Sequence, residues 1–361
     1  MNFCFNAPLN SVSFGQVATH LLRGFFRNNI SPSIYPIGGQ VDLSSQSVDE
    51  KFKSSLEDCI KKFLALHDRN TACLKLWHLN GAIDSPSKTT NLLTFHELDS
   101  LTNVEKNVCR SMDRIFITSN FSKEVLKSNE IDSVLVPLAF DKFNFFNLNK
   151  KYYSDERIVF NLCGKFEKRK HHKKTIQAWI KRFGNDKKYN LQCALYNSFM
   201  SEDQNKALFR ESIGPKAPWN VQFVNFLPQN KTYNDYLNSG DIILGMSGGE
   251  GWGLPEFHSL GIGKHAVILN AHSYKEWAND KNSVLVEPSG KEDVYDNIFF
   301  HKGQDWNQGQ IFSWKEDEFI HACETAITRV EESRVNKEGL NIPKDFSLDK
   351  TIDVIKNNLA S

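Results

Sequence analysis

The sequence lacks the features that mark several large classes of protein. No apolar run approaches the roughly 18 residues that span a bilayer, and the start, "MNFCFNAPLNS", has no basic stretch before a long apolar one, so we do not expect a secretory signal. The formal net charge of +1 does not indicate a nucleic-acid or membrane partner. Seven scattered cysteines without a Cys-x-x-Cys pair argue against a disulfide framework or a zinc site. We therefore expect a cytoplasmic protein with reduced thiols.

What the sequence does contain is a regular alternation of strands and helices over 361 residues, a length that suits two α/β domains. In the first half, strands are predicted at "MNFCF", "ACLKLWHL", "TNLLTFHE", "DRIFITS" and "SVLVPLAF", with helices at "QVATHLLRGFFRN", "NVEKNVCRSM" and "NFSKEVLKS". In the second half, strands are predicted at "RIVFNLCG", "YNLQCALY", "VQFVNFL", "DIILGMS", "HAVILN" and "SVLVEP", with helices at "KKTIQAWIKRF", "TYNDYLNSG", "PEFHSLGIG" and "DEFIHACETAITRVEES". This order predicts two parallel, doubly wound sheets with crossover helices on both faces.

Residues 142–156, "KFNFFNLNKKYYSDE", interrupt the alternation and are predicted to be a linker. We therefore place one Rossmann-like domain at residues 1–150 and a second at residues 151–340. Residues 341–361 carry a last predicted helix, "SLDKTIDVIKNNLA", which we expect to pack back on the first domain.

The most informative stretch is "SGGEGWGLPEFHSLGIG", which follows the predicted buried strand "DIILGMS". Pro255 suits the first turn of a helix, so the glycine-rich residues before it form a loop at the carboxyl end of a strand. Doubly wound sheets bind ligands at that edge, and glycines let the backbone approach a ligand closely. Glu250 is then a fixed acceptor for ligand hydroxyl groups. The alternative is a tight loop with a surface glutamate.

A basic run, "GKFEKRKHHKK", also follows a predicted strand and precedes an amphipathic helix. Cations at a helix N-terminus oppose the helix dipole by roughly 0.3–1 kcal/mol each. A polyanion such as a diphosphate in the gap would explain their placement. A solvated basic face is the alternative interpretation.

Two weaker signals lie in the first half. Gly15 falls between the first strand and the first helix, but a single glycine is not the Gly-x-Gly-x-x-Gly of dinucleotide-binding dehydrogenases. His96 ends a strand in "TFHELDSL" without the second histidine of a zinc-protease helix, so a metal role is not expected. Taken singly, His96 is best interpreted as a buried core histidine.

Together these stretches resemble the GT-B glycosyltransferases, in particular the retaining family four, over most of residues 1–290. That family carries Gly-Arg after a strand and a lysine five residues after the arginine, and Gly164, Lys165 and Lys170 stand at this spacing. Its signature Glu-Gly-Phe-Gly-Leu-Pro matches "EGWGLP". "TFHELDSLTNVEKNVCRSMDRIFITSNFSKEVL" and "VLVPLAFDKFNF" resemble its first domain.

The resemblance implies the roles of individual residues. The implied catalytic residues are Glu250, Lys170, Lys165 and His96, and the implied donor-binding residues are Gly15, Gly164, Gly249, Gly251, Trp252, Gly253, Leu254 and His258. His258 occupies the position of a second family glutamate that holds the nucleotide ribose. Glu256 is expected to point off another face of the helix than residue 258 and to be a poor substitute for that glutamate.

The resemblance also implies a reaction. A sugar would pass from a nucleotide-diphosphate sugar to an acceptor hydroxyl with retention of anomeric configuration. Lys165 and Lys170 would stabilise the charge on the leaving diphosphate, Glu250 would orient the donor sugar, and His96 would lie near the sugar. No metal and no other cofactor are expected, because the sequence contains no Asp-x-Asp motif.

Three alternatives stay open from the sequence. The acceptor could be a hydroxymethylated base in DNA, as for some viral enzymes of this kind, since the chain lacks an obvious basic amphipathic helix for a lipid acceptor. A nucleotide-sugar epimerase would share the two-domain plan. A non-catalytic nucleic-acid-binding module could use the basic run.

Overall fold

The computed structural model describes residues 2–360, and the first half of the chain forms a six-stranded parallel sheet. Its strands and helices are, in chain order, β1 Cys4–Leu9, α1 Ser13–Arg27, β2 Ser33–Val41, α2 Glu50–Leu66, β3 Cys73–Leu76, β4 Thr90–Thr94, α3 Asn103–Arg110, β5 Arg114–Ile117, α4 Asn120–Lys127 and β6 Val134–Leu135. The strand order is β2-β1-β3-β4-β5-β6. The strand predicted at "SVLVPLAF" is therefore shortened to the two residues of β6.

The second half forms another six-stranded parallel sheet, with the order β12-β11-β10-β7-β8-β9. Its elements are β7 Ile158–Gly164, α5 His172–Phe183, β8 Tyr189–Leu195, α6 Glu202–Ile213, β9 Val221–Phe223, α7 Asn230–Ser239, β10 Ile242–Gly245, α8 Leu254–Gly261, β11 His265–Leu269, β12 Val284–Val286, β13 Gly290–Asp293, β14 Gln310–Ser313, α9 Glu316–Glu332, α10 Ile342–Asp345 and α11 Leu348–Asn358. The fold class is thus α/β with two parallel sheets flanked by helices, as predicted.

The strand order of the second sheet reverses between β7 and β10, which pair in parallel with Ile242 opposite Phe160. In open α/β sheets, ligands bind outside the carboxyl ends of the strands at such a switch point. The basic run follows β7, and the glycine-rich loop follows β10. The topology therefore brings the two most informative stretches of the sequence to the same edge.

One apolar core is continuous between the two halves and the last helix. It contains Phe5 from β1, Trp252 and Phe257 from the second half, and Ile352 from α11, each at most 3% exposed. The last helix lies against α1: a Cβ on Gly24 would stand 2.6 Å from Ile352 Cγ1. Because α1 presents no side chain there, the two helices pack closely.

A long connection, the strap, runs from the second half onto the first. We define it as residues 290–313, which comprise the antiparallel pair β13 and β14 and the loop that joins them. Its apolar side chains Val294, Phe300 and Ile311 bury Leu98 of the first half. The strap was not predicted from the sequence, and it covers one side of the contact between the halves.

Candidate active site

The glycine-rich loop after β10, residues 246–253, is pressed against the first half of the chain. A Cβ on Gly249 would lie 2.5 Å from the carbonyl oxygen of Glu97, and a Cβ on Gly251 would lie 2.5 Å from Cβ of Phe95. Thr118 Oγ1 donates a hydrogen bond to the Gly251 carbonyl at 2.7 Å. These two glycines therefore permit the two halves of the chain to approach each other, whereas the sequence suggested only a close approach to a ligand.

The loop ends in a left-handed residue that starts α8. Gly253 has a φ of +85°, and a Cβ there would stand 2.2 Å from Cε1 of the buried Tyr274. Pro255 lies in the first turn of α8, as its missing N–H predicts. Leu254, the first residue of the helix, packs against the shared core. This geometry fixes the direction in which α8 leaves the loop.

The basic run forms a short 3-10 turn, Lys168–Lys170, between β7 and α5. Gly164, the last residue of β7, has a φ of +129°, and His171 has a left-handed φ of +55°. The chain thus turns sharply twice before α5 begins at His172. These turns direct the side chains of Arg169 and Lys170 towards the glycine-rich loop.

Two cationic side chains of this turn contact the carboxylate of Glu250. Lys170 Nζ donates to Glu250 Oε1, and Arg169 Nη1 lies 3.4 Å from Glu250 Oε2. Burial alone would raise the pKa of Glu250, but Lys170 and then Arg169 outweigh it and lower the pKa to about 2. The pKa of Lys170 is raised, because Glu250 outweighs the effect of burial. Glu250 is therefore ionised and Lys170 protonated at neutral pH.

The same cluster extends to two further carboxylates and one further lysine. Arg169 Nη2 lies 2.6 Å from Glu167 Oε1 and 3.2 Å from Glu97 Oε1, and Lys165 Nζ lies 2.9 Å from Glu167 Oε2. Three carboxylates thus face three cations at the switch point of the second sheet. A group of charges that converges from several loops has the chemistry of a site for a charged substrate.

The strap closes the far side of this cluster. Lys291 Nζ lies 2.8 Å from Asp99 Oδ2, and the backbone N–H of Gln310 donates to Asp99 Oδ1 at 2.8 Å. Ser100 Oγ and Thr102 Oγ1 donate to strap carbonyl oxygens at 2.7 Å and 2.6 Å. Residues 97–102, which include Glu97 of the charged cluster, are therefore held by the second half of the chain.

Comparisons with solved structures identify the architecture. Sucrose-phosphate synthase from Thermosynechococcus elongatus superposes with a TM-score of 0.68 and 10% identity, covering 99% of this chain and 98% of that one. HepE from Anabaena, in complex with UDP and glucose, and a glycosyltransferase from Rickettsia africae each give a TM-score of 0.66 at 14% identity, covering 99% of both chains. The chain has the GT-B fold. Searches by sequence against protein-family models and curated proteins found no match.

On α8, Glu256 faces the charged cluster, and it lies on another face of the helix than His258, as expected. Glu256 is 4% exposed and lies against Gly245 and Gly253. Burial raises its pKa to about 7, Lys170 opposes this shift, and Glu250 adds to it. Glu256 is therefore a second carboxyl group beside Lys170, half protonated near neutral pH.

His258 lies on another face of α8, away from the charged cluster. Its ring stacks on Phe145 at 3.9 Å between centroids, and Phe140 meets it edge-on. Burial lowers the pKa of His258 to about 3, so the ring is neutral. In this conformation His258 packs between the halves. The structure does not place it beside Lys170 and Glu250.

Three other predicted site residues, His96, Gly15 and Trp252, pack against other parts of the chain in this conformation. His96 Nε2 lies 3.1 Å from the Ser100 carbonyl, and its own carbonyl accepts from Ser122 Oγ at 2.8 Å. A Cβ on Gly15 would meet the Asn10 carbonyl oxygen at 2.2 Å. Trp252 is buried in the shared core, edge-on to Phe257. The neighbour of His96, Glu97, is the residue that reaches the charged cluster.

The basic run does not form an exposed basic face. Besides Lys165, Arg169 and Lys170, Lys173 pairs with Glu211, and Lys168 donates to the Asp293 carbonyl oxygen at 2.6 Å. Lys174 donates to the carbonyl oxygen of Trp314. Acidic partners thus offset the charge of Lys165, Arg169, Lys170 and Lys173, which argues against a nucleic-acid-binding surface.

Within residues 2–360, no three His, Cys, Asp or Glu side chains are grouped as metal ligands. In the same part of the chain, no helix combines the length and apolar character needed to cross a bilayer.

Proposed function

We propose that this GT-B chain is a glycosyltransferase that moves a sugar from a nucleotide-diphosphate sugar to an acceptor hydroxyl. The observation that carries the proposal is the convergence of Lys165, Lys170 and Glu250 at the switch point of the second sheet. The fold agrees with it, since HepE, a structure with this fold, was solved with UDP and glucose.

In the proposed reaction, the donor diphosphate lies between the turn after β7 and the loop before α8. Lys165 and Lys170 stabilise the negative charge that grows on the diphosphate as the glycosidic bond breaks. Their present partners are the carboxylates of Glu167 and Glu250, and we propose that phosphate oxygens of the donor replace these carboxylates. Donor binding therefore exchanges ion pairs, and Glu250, released from Lys170, is free to accept hydroxyl groups of the donor sugar.

We propose retention of anomeric configuration, with the acceptor attacking on the face that the diphosphate leaves. The leaving phosphate oxygen then takes the acceptor proton, so no second carboxylate is needed as a base. This differs from most glycoside hydrolases, in which two carboxylates act from opposite sides of the bond. The reaction needs neither a metal nor another cofactor. We place the protein in the cytoplasm, because all seven cysteines are buried free thiols.

Ligand binding is the first test. Nucleoside diphosphates and their sugar conjugates are compared by thermal shift, since a ligand of the folded state raises apparent stability by mass action. Nucleotides with one particular base should raise the Tm more than the others, and this rise should persist in the presence of EDTA. The absence of any shift at millimolar nucleotide would contradict the proposal.

Transfer is tested with the labelled sugar nucleotide that binds best. The product anomer, determined by NMR, should match the donor anomer if configuration is retained. An epimerase would convert the donor without any acceptor. The acceptor panel includes DNA with and without hydroxymethylcytosine, and label on the modified DNA alone would support a DNA acceptor.

A further inference from the structure

Arg169 contacts three carboxylates of the charged cluster, although the mechanism expected from the sequence gives it no role. Its side chain is 5% exposed and comes from the 3-10 turn after β7. Nη2 contacts Glu167 and Glu97, and Nη1 faces Glu250 and donates to the Gly249 carbonyl oxygen. One guanidinium group therefore contacts carboxylates from both halves of the chain.

The planar shape of the guanidinium makes this arrangement specific to arginine. Its donors point in fixed directions, so it can hold two carboxylates in a set relation, whereas a lysine is a single flexible point charge. Glu250 is consequently held through both oxygens, Oε1 by Lys170 and Oε2 by Arg169. If donor phosphate takes Lys170, Arg169 is the cation that still fixes the orientation of Glu250.

The contact with Glu97 adds a link across the cleft. Glu97 follows β4 of the first half, one-third of its side chain is exposed, and it lies 3.2 Å from Arg169. Separation of the two halves would break this contact and leave Arg169 with Glu167 and Glu250 only. The orientation of Glu250 is thus coupled to closure of the cleft.

We propose that Arg169 is a positioning residue: its guanidinium group links the carboxylates of Glu250 and Glu97, so that Glu250 is correctly oriented only when the two halves are closed. We call this link between the halves the tie. The catalytic meaning of this tie rests on the proposed sugar transfer. The tie itself, a closure contact between the halves, does not depend on that function.

The kinetic test compares Arg169→Lys and Glu97→Gln with Arg182→Lys as a matched control. Arg182 also pairs with a glutamate, Glu324 at 2.7 Å, but on the exposed surface. A small misplacement of a reacting group can cost about 100-fold in rate, so we expect kcat to fall by about that factor in Arg169→Lys, with little change in donor KM. The control should keep the wild-type kcat.

The pH profile separates positioning from a general loss of structure. Glu250 is faced by the cations Lys170 and Arg169, by His272, and by the carboxyl groups of Glu97 and Glu256, and Arg169 helps to keep it ionised. In Arg169→Gln, the fall of kcat at acidic pH should begin about one pH unit higher than in wild type. The reason is that a positive charge within about 4–6 Å lowers the pKa of a carboxyl group by about one unit or more, and this charge is lost. A destabilised but correctly oriented site would lower kcat without moving the pH at which this fall begins.

Closure is measured without any substrate, by spin-label distances between Lys61→Cys on α2 and Lys206→Cys on α6, both outside the site. Arg169→Gln and Glu97→Gln should lengthen or broaden the distance, and Arg182→Lys should not. If distances and kinetics stay at wild-type values in Arg169→Lys, Arg169→Gln and Glu97→Gln, the proposal is wrong, whatever the enzyme does. If the wild type transfers no sugar but Arg169→Gln opens the cleft, the proposed function fails and the tie stands.

Discussion

Lys291 of the strap and Asp99 of the first half form an ion pair of 2.8 Å, and Asp99 also accepts the backbone N–H of Gln310. Lys291 is itself half-exposed, so the charge pair contributes at most about 1 kcal/mol. The pair nevertheless marks the place where the strap is seated, because Leu98 is buried beneath it by strap side chains. Two different forces, apolar burial and hydrogen bonding, therefore hold the strap on the first half.

The first prediction concerns the contact between the strap and residues 97–102 of the first half. Gly309 has a φ of +152°, and a Cβ there would lie 2.7 Å from Ser100 Oγ and 2.9 Å from Asp99 Oδ1. Gly309→Ala should displace the strap from the first half, so the backbone amides of residues 97–105 and 290–313 should exchange hydrogen faster. Gly303→Ala, in the same strap at φ +79° with open space around it, is the control. Equal exchange in both variants would mean that the strap is not seated as described.

The second prediction concerns Lys170 and Glu250. Removing one member of a buried ion pair costs up to about 3–5 kcal/mol in the free energy of unfolding, and less for Lys170→Met than for Glu250→Gln, because Glu250 keeps Arg169 as a partner. Lys170→Met and Glu250→Gln should therefore each lose both transfer activity and stability. The double variant should recover most of the stability and none of the activity. Recovery of both in the double variant would show that the pair is structural and plays no part in transfer.

The third prediction concerns pH and Glu256. Its folded pKa of about 7 lies above the ordinary value of 4.5, so its stabilising contribution is complete below pH 4.5 and is lost as the pH rises through 7. Glu256→Gln should consequently be more stable than wild type at pH 8, by about 1–3 kcal/mol, and nearly equal to it at pH 4.5. The exposed Glu57→Gln is the control. A constant difference across this range, in urea unfolding, would argue against a protonated Glu256.

The fold followed from the sequence wherever a strand is buried on both faces. β10 is a continuous apolar run and β7 is apolar apart from Asn161, which is the pattern typical of central strands of parallel sheets. β2 was missed because it is an edge strand with Pro36, Gly38 and Gly39, residues that sheets tolerate at edges only. α2 was missed because it buries only Leu56 and Cys59, so its periodicity is weak.

The candidate site was predictable only in part, for a related reason. The meeting of Lys170 with Glu250 follows from two loops at adjacent strand ends. The role of Arg169 could not be found, because it is one of several cations in a row and only its partners distinguish it. The proximity of Glu256 to the charged cluster was not predicted, because the family position at residue 258 was taken as the reference. The strap was missed because its apolar side chains Val294, Phe300 and Ile311 lack a regular spacing, and their partner, Leu98, lies in the other half.

The last prediction separates two reasons for a glycine in the loop. Gly253 and Gly303 have similar left-handed φ values, +85° and +79°, but a Cβ on Gly253 would stand 2.2 Å from the Tyr274 ring, whereas nothing lies within 4 Å at Gly303. Backbone strain alone should cost Gly303→Ala about 1–2 kcal/mol. Gly253→Ala adds overpacking against a buried ring, about 1–3 kcal/mol more, and should shift α8. If urea unfolding finds the two variants equally destabilised, the glycine at 253 is not required by packing within the chain, and a ligand near the start of α8 becomes the better explanation for it.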